Sequence, residues 1–210
     1  MADSDSALRR LVGAILDGDA DGASRLIAAS PELTRASFDT GAMRKAESAF
    51  FLDRIARYIY AGDTALHIAA AAYQTEFARR LLAAGANVRA RNRRGQEPLH
   101  AAACGVPGSS GWNPTAQAET IQCLIAAGAD PNAFDKSGVA PLHKAVRTRC
   151  AVAVRALLES GADAALSNKN GSTPMLLAIQ NTGRGGSGSS FAKVQQQEIV
   201  RLLRERAPVK

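Results

Sequence analysis

Histidine is the side chain that proteins use most readily for proton transfer and metal binding near neutral pH. This chain contains three histidines, and each directly follows a leucine in a recurring segment: His67, His100 and His143. If these segments form helical units, the three rings lie about one repeat apart, which is too far for one shared metal ion. No further histidine remains to serve as a general base. The pattern therefore favours a structural role for the histidines, and we predict neither a metal nor a catalytic residue.

A glycine-rich segment at residues 183–188 fits the pattern G-x-G-x-x-G. This pattern binds the phosphates of dinucleotides when it connects a strand to a helix. Here the segment follows a predicted helix, Pro174 to Gln180, and no strand precedes it. Two other patterns, G-x-x-x-x-G-K-[ST] and G-x-S-x-G, do not occur in the chain. We therefore expect residues 183–188 to form a glycine-serine loop without a nucleotide.

The three cysteines are dispersed, and none belongs to a Cys-x-x-Cys pair. Cys123 lies among apolar residues of a predicted helix and is expected in the core. Cys104 and Cys150 lie near predicted helix ends, where partial exposure is expected. No base is visible that would make any of the thiols a nucleophile. The cysteines favour a reducing, cytoplasmic setting, and the sequence predicts a protein that is not an enzyme and has no cofactor.

The strongest regularity in the chain is a repeated segment that begins at a glycine and, in three copies, contains the leucine-histidine pair. Its starting glycines, Gly62, Gly95, Gly138 and Gly171, are 33, 43 and 33 residues apart. The first three copies continue with a leucine-rich stretch and then a Gly-Ala pair. A fixed period of this length is typical of small units that stack and share one long core.

The third copy, residues 138–170, indicates how each unit folds. Pro141 suits the first position of a helix, where the missing N–H costs nothing, and predicts a first helix at about 140–148. A second helix is predicted at 151–159, and it ends at Gly161 because glycine accepts the left-handed conformation. Residues 168–171, Asn-Lys-Asn-Gly, have the pattern of a type I turn.

These units resemble the ankyrin repeat family. The matching segments are Thr64-Ala65-Leu66-His67, Pro98-Leu99-His100 and Pro141-Leu142-His143, with later Leu-Leu and Gly-Ala pairs. The resemblance implies an all-α, ankyrin-repeat solenoid of helix-turn-helix units, with short β-turn projections and capping units at both ends. It also implies that each histidine hydrogen-bonds backbone near the turns. The chain departs from the family where Glu97 and Ala140 replace a threonine and where Leu176 replaces a histidine.

One continuous solenoid domain is expected, with a capping segment at residues 1–61 and four ankyrin-like repeats at residues 62–210. The repeats span residues 62–94, 95–137, 138–170 and 171–210. Helical spacing of apolar residues predicts a first hairpin of helices at residues 7–17 and 20–29. An extra helix is predicted at residues 42–60, with Phe51, Ile55, Tyr58 and Ile59 on one stripe. This helix either covers the edge of the first repeat or forms an aromatic docking site.

Two repeats carry a glycine- and serine-rich insertion between their helices, at residues 105–112 and 183–190. Because both insertions occupy the same place in a unit, they should emerge on one edge and flank a recess. Arg147, Thr148 and Arg149 are expected to form its floor. Trp112, the only tryptophan, lies in the first insertion. It is either an apolar anchor for the loop or a contact for a partner.

The formal net charge is +7, and residues 138–210 carry 11 basic and 4 acidic side chains. Ankyrin proteins typically bind partners through turn tips and the concave face of the first helices. At the matching positions of this chain basic residues are frequent and acidic residues are absent. The predicted partner-binding residues are Arg91, Arg93, Arg94, Gln96, Phe134, Lys136, Val139, Arg147, Lys169 and Trp112. Solvated turns also tolerate lysine and arginine without any binding role, so both interpretations stay open.

The function predicted from these features is non-catalytic binding of a partner protein with an acidic surface. Arginine suits this role because its planar fork donates two parallel hydrogen bonds to a carboxylate. The alternative is binding of nucleic acid or another phosphate-bearing ligand through the same basic stripe. Nucleic acid is disfavoured because the turns lack aromatic residues for base stacking, apart from Phe134.

No small-molecule substrate and no membrane association are expected. The apolar run at residues 11–16 is too short to span a bilayer, and the acidic start lacks the positive region of a secretory signal. The expected location is therefore the cytoplasm.

Overall fold

The computed structural model of the chain describes residues 2–43, 48–109, 111–180 and 190–206. Its helices come in pairs: α1 (Ala2–Asp17) with α2 (Ala20–Ala29), α3 (Ala65–Ala71) with α4 (Thr75–Ala83), α5 (Pro98–Ala102) with α6 (Pro114–Ala126), α7 (Pro141–Arg147) with α8 (Ala151–Glu159), and α9 (Pro174–Ile179) with α10 (Ser190–Glu205). The pairs stack in chain order, which confirms the predicted all-α solenoid. None of the described helices is both long and apolar enough to cross a membrane.

The stack has two layers of helices. The inner layer consists of α3, α5, α7 and α9, each packed on the next, while α4, α6, α8 and α10 form the outer layer. At the N-terminal end α1 packs on α3 and so covers the first unit. The predicted first hairpin of helices is confirmed, although α1 begins at Ala2 and not at residue 7.

Small side chains allow the helices to approach closely. Ala69, Ala70 and Ala102 of the inner layer are fully buried. The leucine that precedes each histidine is buried as well, as Leu66 and Leu99 illustrate. Because interiors pack at crystal-like density, small alanine side chains let these helices of one to two turns lie close together, and the core needs few large side chains such as Phe38 and Phe77.

Local sequence determines where the helices begin and end. Proline occupies the first position of α7, and the Thr64 side chain accepts a hydrogen bond from the His67 N–H at the start of α3. After α8 the chain turns at Gly161, whose φ of +90° lies in the left-handed region. The helices predicted for the third unit are thus confirmed at Pro141–Arg147 and Ala151–Glu159.

Each histidine connects its own unit to the next one. The Nδ1 atom of His67 accepts the Thr64 N–H at 3.1 Å, and its Nε2 atom lies 3.0 Å from the Gln96 carbonyl oxygen. The same two contacts recur in the next two units: Glu97 N to His100 Nδ1 and His100 Nε2 to Val139 O, then Ala140 N to His143 Nδ1 and His143 Nε2 to Ser172 O. Because Nδ1 accepts a hydrogen bond, the proton is on Nε2 and is donated to the carbonyl. The expected structural role of the histidines is confirmed.

The helix predicted at residues 42–60 is wrong. The described part of this segment contains a 3-10 turn (Ser48–Phe50), two short antiparallel strands, β1 (Phe51–Leu52) and β2 (Arg57–Tyr58), and a second 3-10 turn between them (Asp53–Ile55). Ala56, at φ +45°, completes the reversal.

Cross-strand contacts explain why this segment is a hairpin and not a helix. The ring centres of Phe51 and Tyr58 lie 4.8 Å apart across the two strands. The hydrogen bond from Ile59 N–H to the Phe50 carbonyl, at 2.8 Å, extends the pairing beyond the strands. The apolar residues therefore meet across a hairpin, where cross-strand pairs stabilise a sheet. The spacing of these apolar residues along the sequence also fits one stripe of a helix, and for that reason it predicts a helix here.

Acid should unfold this protein through its histidines. Burial lowers the pKa of all three, and that of His100 falls to about 4, against about 6.5 in the unfolded chain. A lowered pKa means that the folded state favours the neutral ring. The contribution of that ring to the free energy of unfolding is therefore fully present above pH 6.5 and is lost as the pH falls toward 4. For His100 the loss is about 3 kcal/mol of unfolding free energy.

We predict that His100→Gln weakens this pH dependence, because glutamine keeps one acceptor and one donor but does not titrate. The measurement is urea unfolding followed by circular dichroism at several pH values between 7.5 and 4.5. The variant should be less stable at pH 7.5, yet it should lose less stability on acidification than the parent. If both proteins lost the same amount of unfolding free energy on acidification, His100 would not be a source of the pH dependence.

Candidate functional site

A groove of about 830 Å³ runs along the inner layer beside the turns that precede α7 and α9. We call it the basic groove. Its charged lining residues are Arg94, Lys136, Lys144, Arg147, Arg149 and Asp135. Turns contribute Arg94, Asp135 and Lys136, whereas α7 contributes Lys144 and Arg147, and so the cations come from neighbouring units of the stack.

Two of the charged side chains that line the basic groove, Arg149 and Asp135, form hydrogen bonds within the protein. Arg149 is buried, at φ +60°, and its guanidinium donates to the carbonyls of Ala178 and Gln180 at 3.0 Å each. Asp135 is buried at the base of a turn, and its oxygens accept hydrogen bonds from the backbone N–H groups of residues 137 and 139 and from the side chain of Gln96. Neither charge is free for a ligand.

Four cations remain available in the basic groove. Lys136 and Arg147 are exposed, and neither has a side-chain partner within the described residues. Lys144 is half-buried, which fits a lysine whose stem packs on protein while its ammonium reaches solvent. Arg94 stacks on Tyr60, with its guanidinium carbon 4.2 Å from the ring centre. The Arg94 side chain makes no hydrogen bond within the described residues, so its N–H groups can donate to a ligand.

Five of the ten residues predicted to bind a partner line the basic groove: Arg94, Gln96, Lys136, Val139 and Arg147. Gln96 and Val139 are each only 7% exposed. They form the floor of the groove, and a partner could reach little of either side chain. Lys144 was missed by the sequence reasoning. Its spacing of three residues from Arg147 on one helix was the signal that could have found it.

Arg91 and Arg93 lie outside the groove lining and have intramolecular partners. Arg91 is exposed and donates to Glu97 Oε1 at 3.1 Å. Burial raises the pKa of Glu97, and Arg91 opposes that rise. Arg93 donates to the Ala42 carbonyl and lies over the ring of Tyr60. Both arginines therefore hold parts of the protein together.

Phe134 and Lys169 also lie outside the lining of the basic groove. Phe134 is 39% exposed on the stretch before the turn at Asp135. The Lys169 side chain is exposed, while its backbone N–H bonds to the Ser137 carbonyl at 3.3 Å.

The inserted loop at residues 105–112 is fixed to the helices by Trp112 and Gln117. The indole N–H of Trp112 donates to Gln117 Oε1 at 2.9 Å, and its ring makes an edge contact with Phe191 at the start of α10. Gln117 is fully buried and donates to the carbonyls of Ala102 and Cys104 at 2.9 and 3.3 Å. Trp112 thus anchors the loop, which reaches across the third unit to the fourth.

The second insertion, including the G-x-G-x-x-G segment at residues 183–188, lies outside the described residues except for its last residue, Ser190. The expected floor of a recess between the two insertions needs a correction. Arg149 is buried and hydrogen-bonded to backbone, so only Arg147 and the half-buried Thr148 remain accessible there.

The cysteines are poor candidates for chemistry. Cys150 is fully buried, contrary to the expected partial exposure, and burial raises the pKa of its thiol to about 11. It therefore stays a neutral, unreactive thiol near pH 7. Cys104 and Cys123 are half-buried, so Cys123 lies at the edge of the core and not inside it. Among the residues that the structure describes, no three His, Cys, Asp or Glu side chains form a group that could hold a metal ion.

Helix pairs that stack in two layers, with hydrogen-bonded turns along one side, define a helical-repeat solenoid. A family model described as ankyrin repeats, in three copies, matches residues 13–109 and 113–209. The chain belongs to the ankyrin repeat family. A search of the curated proteins found no match. Ankyrin repeats are generally protein–protein interaction modules and are typically non-catalytic.

Replacing Gln117 should destabilise the protein through the inserted loop. We predict that Gln117→Ala lowers the free energy of unfolding by about 2–3 kcal/mol, because it leaves the Trp112 N–H and the Ala102 carbonyl without partners. Urea unfolding measures this loss. As a control, Gln197→Ala on the exposed side of α10 should change stability by no more than about 0.5 kcal/mol. Equal effects of the two substitutions would disprove the role given to Gln117.

Proposed function

We propose that this chain is a non-catalytic interaction module that binds an acidic surface of a partner protein through the basic groove. The observation that supports this most is the imbalance of charge in the groove. Arg94, Lys136, Lys144 and Arg147 are available, while Asp135, the one carboxylate in the described lining, is buried and hydrogen-bonded within its own turn.

The spacing of the cations supports binding of an extended acidic surface. The backbone N–H of Lys136 donates to the Arg94 carbonyl at 2.9 Å, which holds two neighbouring turns side by side. Lys144 and Arg147 lie on one helix, three residues apart. Because the backbone that carries these charges is ordered before binding, little conformational entropy is lost when a partner docks. Complementary charge also speeds the encounter and excludes basic partners.

Protein carboxylates fit the groove better than nucleic acid does. No aromatic side chain belongs to the described lining of the basic groove, so within this groove successive bases would find no face to stack on. The Tyr60 ring, beside the lining residue Arg94, has a face covered by the Arg94 guanidinium.

Two further parts of the proposal concern organisation and location. We retain a capping segment at residues 1–61 followed by four repeats, since the helix pairs follow that division. The three free cysteines support a reducing, cytoplasmic setting.

The proposal can be tested by selecting random peptides displayed on phage against the purified protein. Enriched peptides should be rich in aspartate and glutamate. The double variant Lys136→Glu/Arg147→Glu should weaken binding of these peptides by about tenfold or more, because it replaces attraction with repulsion. The matched control is Arg25→Glu/Lys193→Glu, which makes the same change in net charge at exposed positions of α2 and α10.

Binding of the selected peptides should be nearly unchanged in the control variant. Selection of peptides without acidic bias, or an equal loss in both variants, would contradict a specific basic groove. A third comparison uses generic single-stranded DNA in a salt titration. If DNA binds more tightly than the acidic peptides, with a steep dependence on salt, the protein-binding proposal is wrong.

A further inference from the structure

A second groove, of about 640 Å³, lies between the β1–β2 hairpin and the inserted loop. We call it the hairpin groove; its walls are residues 53–58 and 60 on one side and residues 104–106, 109, 111 and 112 on the other. It shares Arg94, Gln96, Cys104 and Lys144 with the basic groove. The two grooves are therefore one continuous surface with two chemically different ends.

Neither wall of the hairpin groove belongs to the repeating unit. The hairpin precedes the first repeat glycine, Gly62, and the loop is the insertion that lengthens the second unit. The hairpin groove is therefore a feature of this chain, added beside a surface that the repeats supply.

Both walls are held in place without a ligand. Pairing of Phe51 with Tyr58 stabilises the hairpin, and Trp112 anchors the loop through Gln117 and Phe191. Among the residues that line the groove, the Tyr73 hydroxyl also donates to the carbonyl of Cys104, the residue that precedes the loop. A site that is formed before binding loses little free energy to ordering when a ligand enters.

The lining of the hairpin groove combines apolar surface with positive charge. Aromatic surface comes from Tyr58, Tyr73 and Trp112, and Val106, which is 61% exposed, lies on the loop side. Such a volume and such a lining are typical of pockets that enclose an apolar group, which have about 300–1,000 Å³.

The described lining of the hairpin groove contains the cations Arg54, Arg57, Arg94 and Lys144 and one carboxylate, Asp53. Arg54 pairs with Asp17, but Arg57 is incompletely neutralised. Its nearest carboxylate oxygen, Asp63 Oδ1, is 3.8 Å away, and its Nε has no hydrogen-bond partner within the described residues. With Arg94 and Lys144 at the junction, the groove favours an apolar group that is flanked by carboxylates.

We propose that the partner is recognised as a linear acidic peptide that places one aromatic side chain in the hairpin groove. Its flanking carboxylates contact Arg94 and Lys144, and the rest of the peptide continues along the basic groove. A linear segment fits because the hairpin and the inserted loop stand on either side of the site, so the partner must insert a narrow chain between them. This inference rests on the proposed function and specifies the form of the partner.

The test uses two synthetic peptides of alternating glutamate and aspartate, identical except for tryptophan or alanine at the central position. Fluorescence anisotropy measures the affinity of each labelled peptide for the full chain. The tryptophan peptide should bind at least about tenfold more tightly than the alanine peptide, because a buried aromatic anchor contributes a large share of binding energy.

Two matched variants locate the anchor. Gly111 lines the hairpin groove, and a Cβ atom added at this position would have no other atom within 4 Å, so Gly111→Phe should be tolerated by the fold and should add a bulky ring to the wall of the groove. It should remove the advantage of tryptophan but leave binding of the alanine peptide nearly unchanged. Gly13→Phe, at an equally open position on α1, should keep the advantage. Circular dichroism verifies that both variants are folded.

The outcomes separate the two proposals. If neither peptide binds, the proposed function fails and the inference fails with it. If both bind equally well, the basic groove stands and the aromatic anchor is disproved. If the advantage of tryptophan persists in Gly111→Phe, or is lost in Gly13→Phe, the anchor does not lie in the hairpin groove and the inference is overturned.

Discussion

The hydrogen bond from each histidine Nε2 to a carbonyl of the following unit is the interaction on which the arrangement of the stack depends. His67, His100 and His143 reach Gln96, Val139 and Ser172, in each case two residues before the proline that opens the next inner helix. Since the other ring nitrogen accepts a backbone N–H of its own unit, each ring fixes the distance between two helix starts. A buried imidazole can do this only while it is neutral, because a protonated ring has no acceptor.

This spacing places the turns where they can bond to one another, and the turns in turn place the cations. Backbone bonds join Arg93 to Ala61, Lys136 to Arg94 and Lys169 to Ser137. In the turns that begin at Asn92, Asp135 and Asn168, that first side chain accepts two backbone N–H groups; Asp135 does so for residues 137 and 139. The Asp135 carboxylate therefore bonds to its own turn and does not neutralise the basic groove. The lysines and arginines on the surface determine the charge of the groove.

The sequence alone predicted the parts of the fold that depend on local rules. The repeat of proline, leucine and histidine located α5 and α7, and glycine located the ends of α4, α6 and α8. The hairpin at residues 51–58 was not predictable in this way, because its apolar spacing also fits a helix. What decides between the two is contact beyond the segment, such as the bond from Ala42 N–H to the Ile59 carbonyl at 2.8 Å. Burial of Gln96 was missed for a similar reason, since it depends on a partner, Asp135, from the next unit.

The most direct test of this account is the protonation state of the three imidazoles, measured by two-bond ¹H–¹⁵N correlation spectra of the folded protein. The account predicts that all three rings carry their proton on Nε2 at neutral pH, and that His100, whose pKa burial lowers to about 4, remains neutral at pH 5, where a free histidine is largely charged. Rings protonated on Nδ1, or rings that titrate near pH 6.5 while the protein stays folded, would contradict the histidine-to-carbonyl bonds that order the stack.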